Sequence, residues 1–380
     1  MSATTYPNYS PGLEGVVAGI STISEIISDT STLVYRGYNV HDLASKGTFE
    51  ETAYLLLYGK LPNRSELDAF NKTLRAERPV PKQVYDALRQ LPKDTHPMDM
   101  AKVGFAVAAP YDPDYAVPAT DQEANLRKAV RIVAKASTII GNGHRIRSGK
   151  EPLEPKPNHS IAQNFLYLMS GEEPDAETAH VLDSSLTLYA EHGFNASTFA
   201  CLVTVATLSD IYSGMVTGIG TLRGPLHGGA NEEAMKMILE IGSPDKADAW
   251  IHQALANKRK IMGFGHREYK KRDPRAIYLT RVGKELCAKK GQEKWSQIAD
   301  ILENVMETEK GIYPNVDFPA AYAYYVLGFP IDLYTPIFVM ARVSGWSAHV
   351  LEQLAHNRLI RPQCIYEGPH SAQWVPVDER

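Results

Sequence analysis

Apolar residues recur with helical spacing along most of this chain, and the exceptions lie at its start. Segments 13–20 and 31–38 are rich in β-branched residues and punctuated by glycine, which predicts a small sheet. Helical signals follow. Thr48 with Glu51 spells a capping box ahead of the apolar run Ala53-Tyr-Leu-Leu-Leu57, and Gly59-Lys-Leu-Pro62 stops that run. Asn63 with Glu66 opens the next helix. Thr120 with Glu123 opens a long one, apolar at helical spacing through Ile140 and ended by Gly141-Asn-Gly143. Further helices are predicted over 161–169, 176–190, 196–209, 231–240, 246–257, 275–288, 295–308, 319–327, 333–343 and 348–356. Short connections between so many helices predict a mainly α, multi-helical fold with a small β element near the N-terminus.

A length of 380 residues points to two or three domains. Two glycine-rich stretches mark candidate hinges. One runs from Gly214-Met-Val-Thr-Gly-Ile-Gly220 through Arg223-Gly-Pro-Leu-His-Gly-Gly229, and the other is Gly328-Phe-Pro330. With hinges there, 228–327 is a smaller domain inserted into a large helical domain made of 1–227 and 328–380. Motifs at both edges of the insert then face a cleft, a usual place for a small-molecule site.

Composition is that of an ordinary soluble protein. Neither end reads as a targeting or lipid-anchor segment, and no apolar run is long enough to span a bilayer. Cys201, Cys287 and Cys364 are widely spaced and form no metal pattern, which fits reduced thiols in a cytoplasm. Charge changes the picture in one place. The net charge is −4, yet the stretch from Lys258 to Arg275 carries eight Lys or Arg against Glu268 and Asp273. A dense positive spot on an acidic chain predicts a local anion site rather than adhesion to nucleic acid or membrane. Within it lies Gly263-Phe-Gly-His266. The glycines let backbone N–H groups approach a ligand, and a histidine can give or take a proton near neutral pH. Asp273-Pro274-Arg275 reads as a helix start.

Three further stretches carry chemistry on loops at helix ends: Glu191-His-Gly-Phe-Asn195, Gly224-Pro-Leu-His-Gly-Gly-Ala-Asn231 and Tyr313-Pro-Asn-Val-Asp317. Other site types do not fit. Gly218-Ile-Gly220 lacks the continuation of a dinucleotide fingerprint, and no P-loop, His-Glu-x-x-His or Gly-x-Ser-x-Gly occurs. The histidines have no metal-ligand spacing.

Taken in order, Gly224-Pro-Leu-His-Gly-Gly-Ala-Asn231, Gly263-Phe-Gly-His266 with Asp273-Pro-Arg275, and Asn315-Val-Asp317 resemble the signature stretches of the citrate synthase family. The resemblance covers nearly the whole chain. It extends from Gly12-Leu-Glu-Gly15 and Tyr35-Arg-Gly-Tyr-Asn39 to Ala341-Arg-Val-Ser-Gly-Trp-Ser-Ala-His349 and Asn357-Arg-Leu-Ile-Arg-Pro362. The length resembles the shorter prokaryotic form. One departure stands out: Glu268 occupies a position where the family usually has Val or Ile.

The resemblance implies an acyltransferase that joins oxaloacetate to acetyl-coenzyme A and hydrolyses the thioester to citrate and free coenzyme A. It implies Asp317 as the base that enolises the thioester methyl and His227 as the neutral N–H donor on the thioester oxygen. The helix start just after His227 favours that neutral form. His266 would polarise and protonate the oxaloacetate carbonyl. His192, Arg275 and Arg342 would hold the dianion, with Arg361 reaching in from the partner of a homodimer; the planar fork of Arg suits a carboxylate. Coenzyme A would meet Lys260, Ile261, Met262, Gly263, Phe264, Gly265, Arg267 and Arg272, with Lys270 and Lys271 as further candidate phosphate cations. No cofactor and no metal are implied, since coenzyme A arrives as a thioester substrate. Closure of 228–327 would exclude water during enolisation. Three alternatives stay open on the sequence: a 2-methylcitrate synthase using propionyl-coenzyme A, citryl-coenzyme A cleavage, and a non-catalytic anion-binding protein on the same fold.

Overall fold

The computed structural model describes residues 9–269 and 271–380, so Lys270 and the first eight residues lie outside the described part. The fold is mainly α, as the periodicity predicts. A three-stranded antiparallel sheet, β1 (Ser24–Ile27), β2 (Thr32–Tyr35) and β3 (Tyr38–Asn39), precedes sixteen α-helices among the described residues. The sheet corrects half of the expectation. β1 pairs with β2 in the register Ser24↔Tyr35 to Ile27↔Thr32, but 13–20 forms no strand. Val17 and Ile20 there are almost fully exposed, so that segment has no surface to pack on and no partner edge. Leu33 and Tyr35 face inward, and the Tyr35 hydroxyl lies 3.1 Å from the Leu188 carbonyl oxygen and 2.9 Å from that of Glu191. The sheet is thereby docked onto the loop that carries His192.

The helices run in order α1 (Val40–Lys46), α2 (Phe49–Tyr58), α3 (Arg64–Glu77), α4 (Lys82–Arg89), α5 (Pro97–Ala108), α6 (Gln122–Arg147), α7 (Ile161–Ser170) and α8 (Ala176–Tyr189). They continue as α9 (Ala196–Val205), α10 (Ile211–Leu222), α11 (Ala230–Ile241), α12 (Pro244–Ala256), α13 (Pro274–Lys289), α14 (Glu293–Lys310), α15 (Asp317–Val326) and α16 (Tyr334–Ala355). Both predicted capping boxes form, Thr48 with Glu51 and Asn63 with Glu66. The long helix α6 is capped by Asp121 rather than Thr120.

Glycine misled the sequence reading in three places, for one physical reason. α6 continues through Gly141-Asn-Gly143, α10 contains Gly214 to Gly220, and the helices expected over 333–343 and 348–356 are one helix, α16. In each case the missing side chain lets another element come close. A Cβ on Gly141 would sit 2.9 Å from Leu168 Cβ, one on Gly218 2.6 Å from Cys201 Sγ, and one on Gly345 2.3 Å from the Ala190 carbonyl oxygen. These are sites of close helix packing, so the first hinge candidate shrinks to the turn at 223–229.

α16 is the central helix. It packs against α2, α6, α8, α9 and α10 and buries Arg342 and Trp346. α11 to α15 pack chiefly on one another, through the pairs α13–α15, α11–α15 and α12–α14. No helix among the described residues is long and apolar enough to cross a membrane.

Candidate active site

The site forms where four chain segments meet, and each is locked by its own hydrogen bonds. The first is the turn between α8 and α9. Asn195 caps α9 by accepting from the Thr198 N–H, and its amide donates to Thr198 Oγ1. Glu191 is fully buried, and its Oε1 accepts from Ser24 Oγ at 2.9 Å and from His349 Nε2 at 2.8 Å, and also from the Gly193 N–H. Burial opposes that charge, but His349 and Arg342 outweigh it and hold the carboxyl below its usual range. With both flanks of the turn pinned, His192 points to Tyr269, its Nε2 3.2 Å from the hydroxyl. Burial and then Arg275 push His192 well below the usual histidine range, so its ring is neutral.

The second and third segments hold each other. The Gly265 N–H donates to the Tyr313 carbonyl at 2.8 Å, and the Asn315 N–H donates to that of Gly263 at 2.9 Å. The Asn315 side chain adds a bond to the Gly265 carbonyl at 3.0 Å. Gly263 has φ of 81°, and a Cβ there would lie 2.8 Å from Phe318 Cβ, so only glycine allows this pairing. The result sets the loop bearing His266 beside the segment that leads into Asp317. His266 Nδ1 accepts from the Glu268 and Tyr269 N–H groups at 3.0 and 3.3 Å. The neutral ring therefore carries its proton on Nε2. Burial and Arg275 hold His266 down at about 4, so the neutral form persists at physiological pH. Glu268 supports the ring through its backbone, its N–H donating to His266 while its carbonyl accepts from Ser28 Oγ, so the ring's support does not depend on the side chain at this position.

Asp317 opens α15. Burial pushes its carboxyl up to about 6 against the opposing pull of Tyr189, Arg275 and Arg342. Its Oδ1 accepts from the Tyr189 hydroxyl at 2.8 Å, leaving Oδ2 for another partner. Asp273 ties the basic loop to this base. It accepts from the backbone N–H, Nε and Nη2 of Arg275, and its Oδ2 also accepts from the Val316 N–H at 3.2 Å. Asp273 also caps α13 with Pro274 at the first helical position, as the sequence predicts.

His227 sits in the turn between α10 and α11. Burial and then Arg342 hold it at about 4, so it too is neutral. Its Nε2 lies 2.8 Å from Ser197 Oγ, which receives the Trp346 Nε1–H at 3.2 Å and lies 2.7 Å from Asn195 Oδ1. Ser197 has one proton and two acceptors to choose from. Donating it to His227 places the imidazole proton on Nδ1; donating it to Asn195 leaves Nδ1 bare. The Phe338 ring lies between the parts, 6.4 Å from His227, 4.6 Å from the Tyr189 ring and 4.5 Å from the Arg342 guanidinium.

Arg275 and Arg342 are both buried. Arg275 is matched by Asp273, which outweighs its burial and keeps it firmly charged. Arg342 is not matched in this way. Its Nε donates to the Tyr189 carbonyl at 2.7 Å, but Nη1 is buried without a partner among the described residues. Burial lowers Arg342 to about 10, which leaves it cationic. A buried cation with an unused donor is costly unless an anion arrives.

The structure thus gathers His192, His227, His266, Arg275, Asp317 and Arg342. Arg361 is elsewhere, exposed on the tail after α16. Ile261 is buried, Met262, Phe264 and Gly265 are partly exposed, and Lys260 and Arg267 point to solvent, with Arg267 3.5 Å from Glu14. Arg272 is engaged by Glu303 and Glu307. Sequence reasoning missed Tyr189, Ser197, Tyr269 and Phe338. Each reads as a core aromatic or a helix-start serine, and only the fold shows what it touches.

Residues 12–363 match the family described as citrate synthase, C-terminal domain. The chain belongs to the citrate synthase family. It is 45% identical to citrate synthase 2 of Bacillus subtilis, over 97% of this chain and 98% of the relative. It is 40% identical to 2-methylcitrate synthase 2 of Corynebacterium glutamicum, over the whole of both. A solved ternary complex of carboxymethyl coenzyme A and oxaloacetate with the citrate synthase of Thermoplasma acidophilum superposes with a TM-score of 0.93, at 36% identity over 98% of this chain and 99% of that one. Membership makes the chain a condensing enzyme of the acyltransferase type.

Proposed function

We propose that this enzyme condenses acetyl-coenzyme A with oxaloacetate and releases citrate and coenzyme A. The observation that carries the reading is the pair of buried arginines beside three neutral histidines and a partly protonatable aspartate. Arg275 and Arg342, with the spare Nη1 of the latter, suit the two carboxylates of a dianion, and His192 adds a neutral donor. Asp317 removes a proton from the thioester methyl through Oδ2. His227 donates Nδ1–H to the developing enol oxygen, which requires Ser197 to donate to Nε2. The enol carbon attacks the oxaloacetate carbonyl, and the His266 Nε2–H protonates the new alkoxide. Water then cleaves the thioester, giving citrate and a thiol.

The chain from Lys260 to Gly265 forms the coenzyme A face in this reading. Phe264 and Met262 offer an apolar rim, while Lys260, Arg267 and Lys271 supply charge for phosphates; Lys270 belongs to the same set but lies outside the described residues. We place Arg361 in the site of a second copy. Support comes from the exposed tail, where Leu359, Ile365, Tyr366 and Trp374 lack the cover that such apolar residues usually find. Free Cys201, Cys287 and Cys364 fit a reducing cytoplasm. We take 228–327 as a domain that closes on its substrates, since α11 to α15 pack chiefly with each other. Small-angle scattering checks this: the radius of gyration falls when oxaloacetate and a coenzyme A analogue are added, and an unchanged value removes closure from the mechanism.

Thiol release decides the main reading. Oxaloacetate with acetyl-coenzyme A gives rapid release, and propionyl-coenzyme A gives slower release. Preference for propionyl would make the chain a 2-methylcitrate synthase, as some relatives are named. A methylene is worth only about 1–3 kcal/mol in an apolar pocket, so both thioesters are expected to turn over. No release with either would refute the condensation.

A further inference from the structure

Arg272 lies at the end of the basic stretch, where a phosphate contact is the natural expectation. Its surroundings argue otherwise. Its Nη2 is paired with Glu307, and its Nη1 lies 3.6 Å from Glu303 Oε2. The guanidinium also lies over the Tyr313 ring, 5.9 Å from its centre. Both acids stand on α14, about one turn apart, and Glu303 is nearly buried with its Oε1 unpartnered among the described residues. Burial holds Glu303 up at about 7, so the firm ion pair is the one with Glu307, and a guanidinium paired there and laid on an aromatic face is poorly placed to meet a mobile ligand.

What Arg272 grips is the path to the base. α14 ends at Lys310, and the chain leaving it pairs with the glycine loop: Tyr313 accepts from Gly265, Pro314 bridges Phe264, and Asn315 donates to Gly263. Asp317 follows two residues later. Arg272 itself precedes Asp273, whose carboxylate accepts from Val316. The clasp therefore ties both segments of this pairing to one helix.

We propose that Arg272 is a positioning residue, gripped by Glu303 and Glu307 and stacked on Tyr313, that holds the segment bearing Asp317 against the loop bearing His266 instead of binding a coenzyme A phosphate. The kinetic side of this inference rests on the function proposed above; the mechanical side does not. Deprotonation and carbonyl activation depend on the relative placement of two segments, and a displacement of about 1 Å can lower a rate by roughly a hundredfold.

Two variants separate the readings. Arg272→Met removes the cation. Glu307→Gln leaves the cation in place and loosens its grip. The substrates are oxaloacetate with acetyl-coenzyme A or with its 3′-dephospho form. We expect both variants to lower kcat by roughly tenfold, to change KM for acetyl-coenzyme A by less than about twofold, and to keep the wild-type preference for the 3′-phosphate. Hydrogen exchange in the free protein should quicken over 261–266 and 311–317 in both. The inference is overturned if Arg272→Met raises KM and erases the phosphate preference while Glu307→Gln does neither. Unchanged exchange in both variants also overturns it. Should the wild-type enzyme release no thiol at all, the proposed function fails, and exchange alone decides the clasp.

Discussion

Two positively charged regions flank this candidate site, and they are built in opposite ways. Arg275 and Arg342 stand on helices, are buried, and are held by named partners: the Asp273 carboxylate for one, the Tyr189 carbonyl for the other. Lys260 and Arg267 sit on a loop and reach into solvent. The difference follows the ligands each region is proposed to meet. A small dianion must be placed to within a fraction of an ångström for its carbonyl to face the enol, so its cations are fixed before it arrives. Phosphates far from the reacting bond need only be attracted, and mobile cations in high dielectric do that with little directional demand. Charge count alone pointed to the loop, while the chemistry gathers on the buried side.

The sharpest test of the fixed region is the base proposed for it. Asp317→Asn keeps shape and size but cannot take a proton, so kcat should fall by roughly 10²- to 10⁴-fold. Oxaloacetate binding, measured by calorimetry, should stay within about threefold, because the Asn315–Asp317 backbone is held by bonds that do not use the Asp317 side chain. Loss of binding would show that Asp317 holds substrate instead. Arg342→Gln comes next. It removes a charged hydrogen bond worth about 1.5–3 kcal/mol, so KM for oxaloacetate should rise roughly 10- to 100-fold. An unchanged KM would remove Arg342 from the dianion site.

The sequence disclosed these two regions unequally. Helix caps with a local grammar were readable, and Thr48 and Asn63 open their helices as expected. Gly141, Gly218 and Gly345 were misread because a glycine that ends a helix and one that admits a neighbouring helix look alike in one dimension. α4 and α5 went unread, although His96 caps the latter with Pro97 at the first helical position. The residues of the signature stretches that the fold gathers could be picked out from the sequence; the residues they touch could not. Tyr189 ends an apolar helix and reads as core, yet its hydroxyl reaches Asp317, 128 positions later. Nothing local encodes such a contact.

That contact sets a pH prediction. With His227 and His266 held at about 4, both remain neutral above pH 5, so Asp317 alone should shape the acid limb. The active form is the carboxylate, and kcat/KM for acetyl-coenzyme A should therefore fall as pH drops through about 6. The Tyr189 hydroxyl donates to the charged form and lowers the pKa that burial raises. Tyr189→Phe deletes that bond, so the limb should move to higher pH and the rate at pH 6 should drop a few-fold, of the size of one hydrogen bond to a charged group. A limb that stays in place would mean that Tyr189 does not tune the base.

The smallest effect belongs to the loop, and its form matters more than its size. Lys260→Ala removes an exposed charge, and exposed pairs are worth about 0.2–1 kcal/mol, so KM for acetyl-coenzyme A should rise only about two- to fivefold with kcat unchanged. Because the interaction is solvent-screened, raising ionic strength from 0.01 to 0.15 M, which shortens the Debye length from about 30 to about 8 Å, should bring wild type and variant together. Arg342→Gln should show no such convergence, since its partner binds in a site shielded from salt. A salt-independent defect in the lysine variant would place Lys260 in a fixed contact like those of the buried arginines, and the division between a rigid dianion site and a loosely charged rim would have to be redrawn.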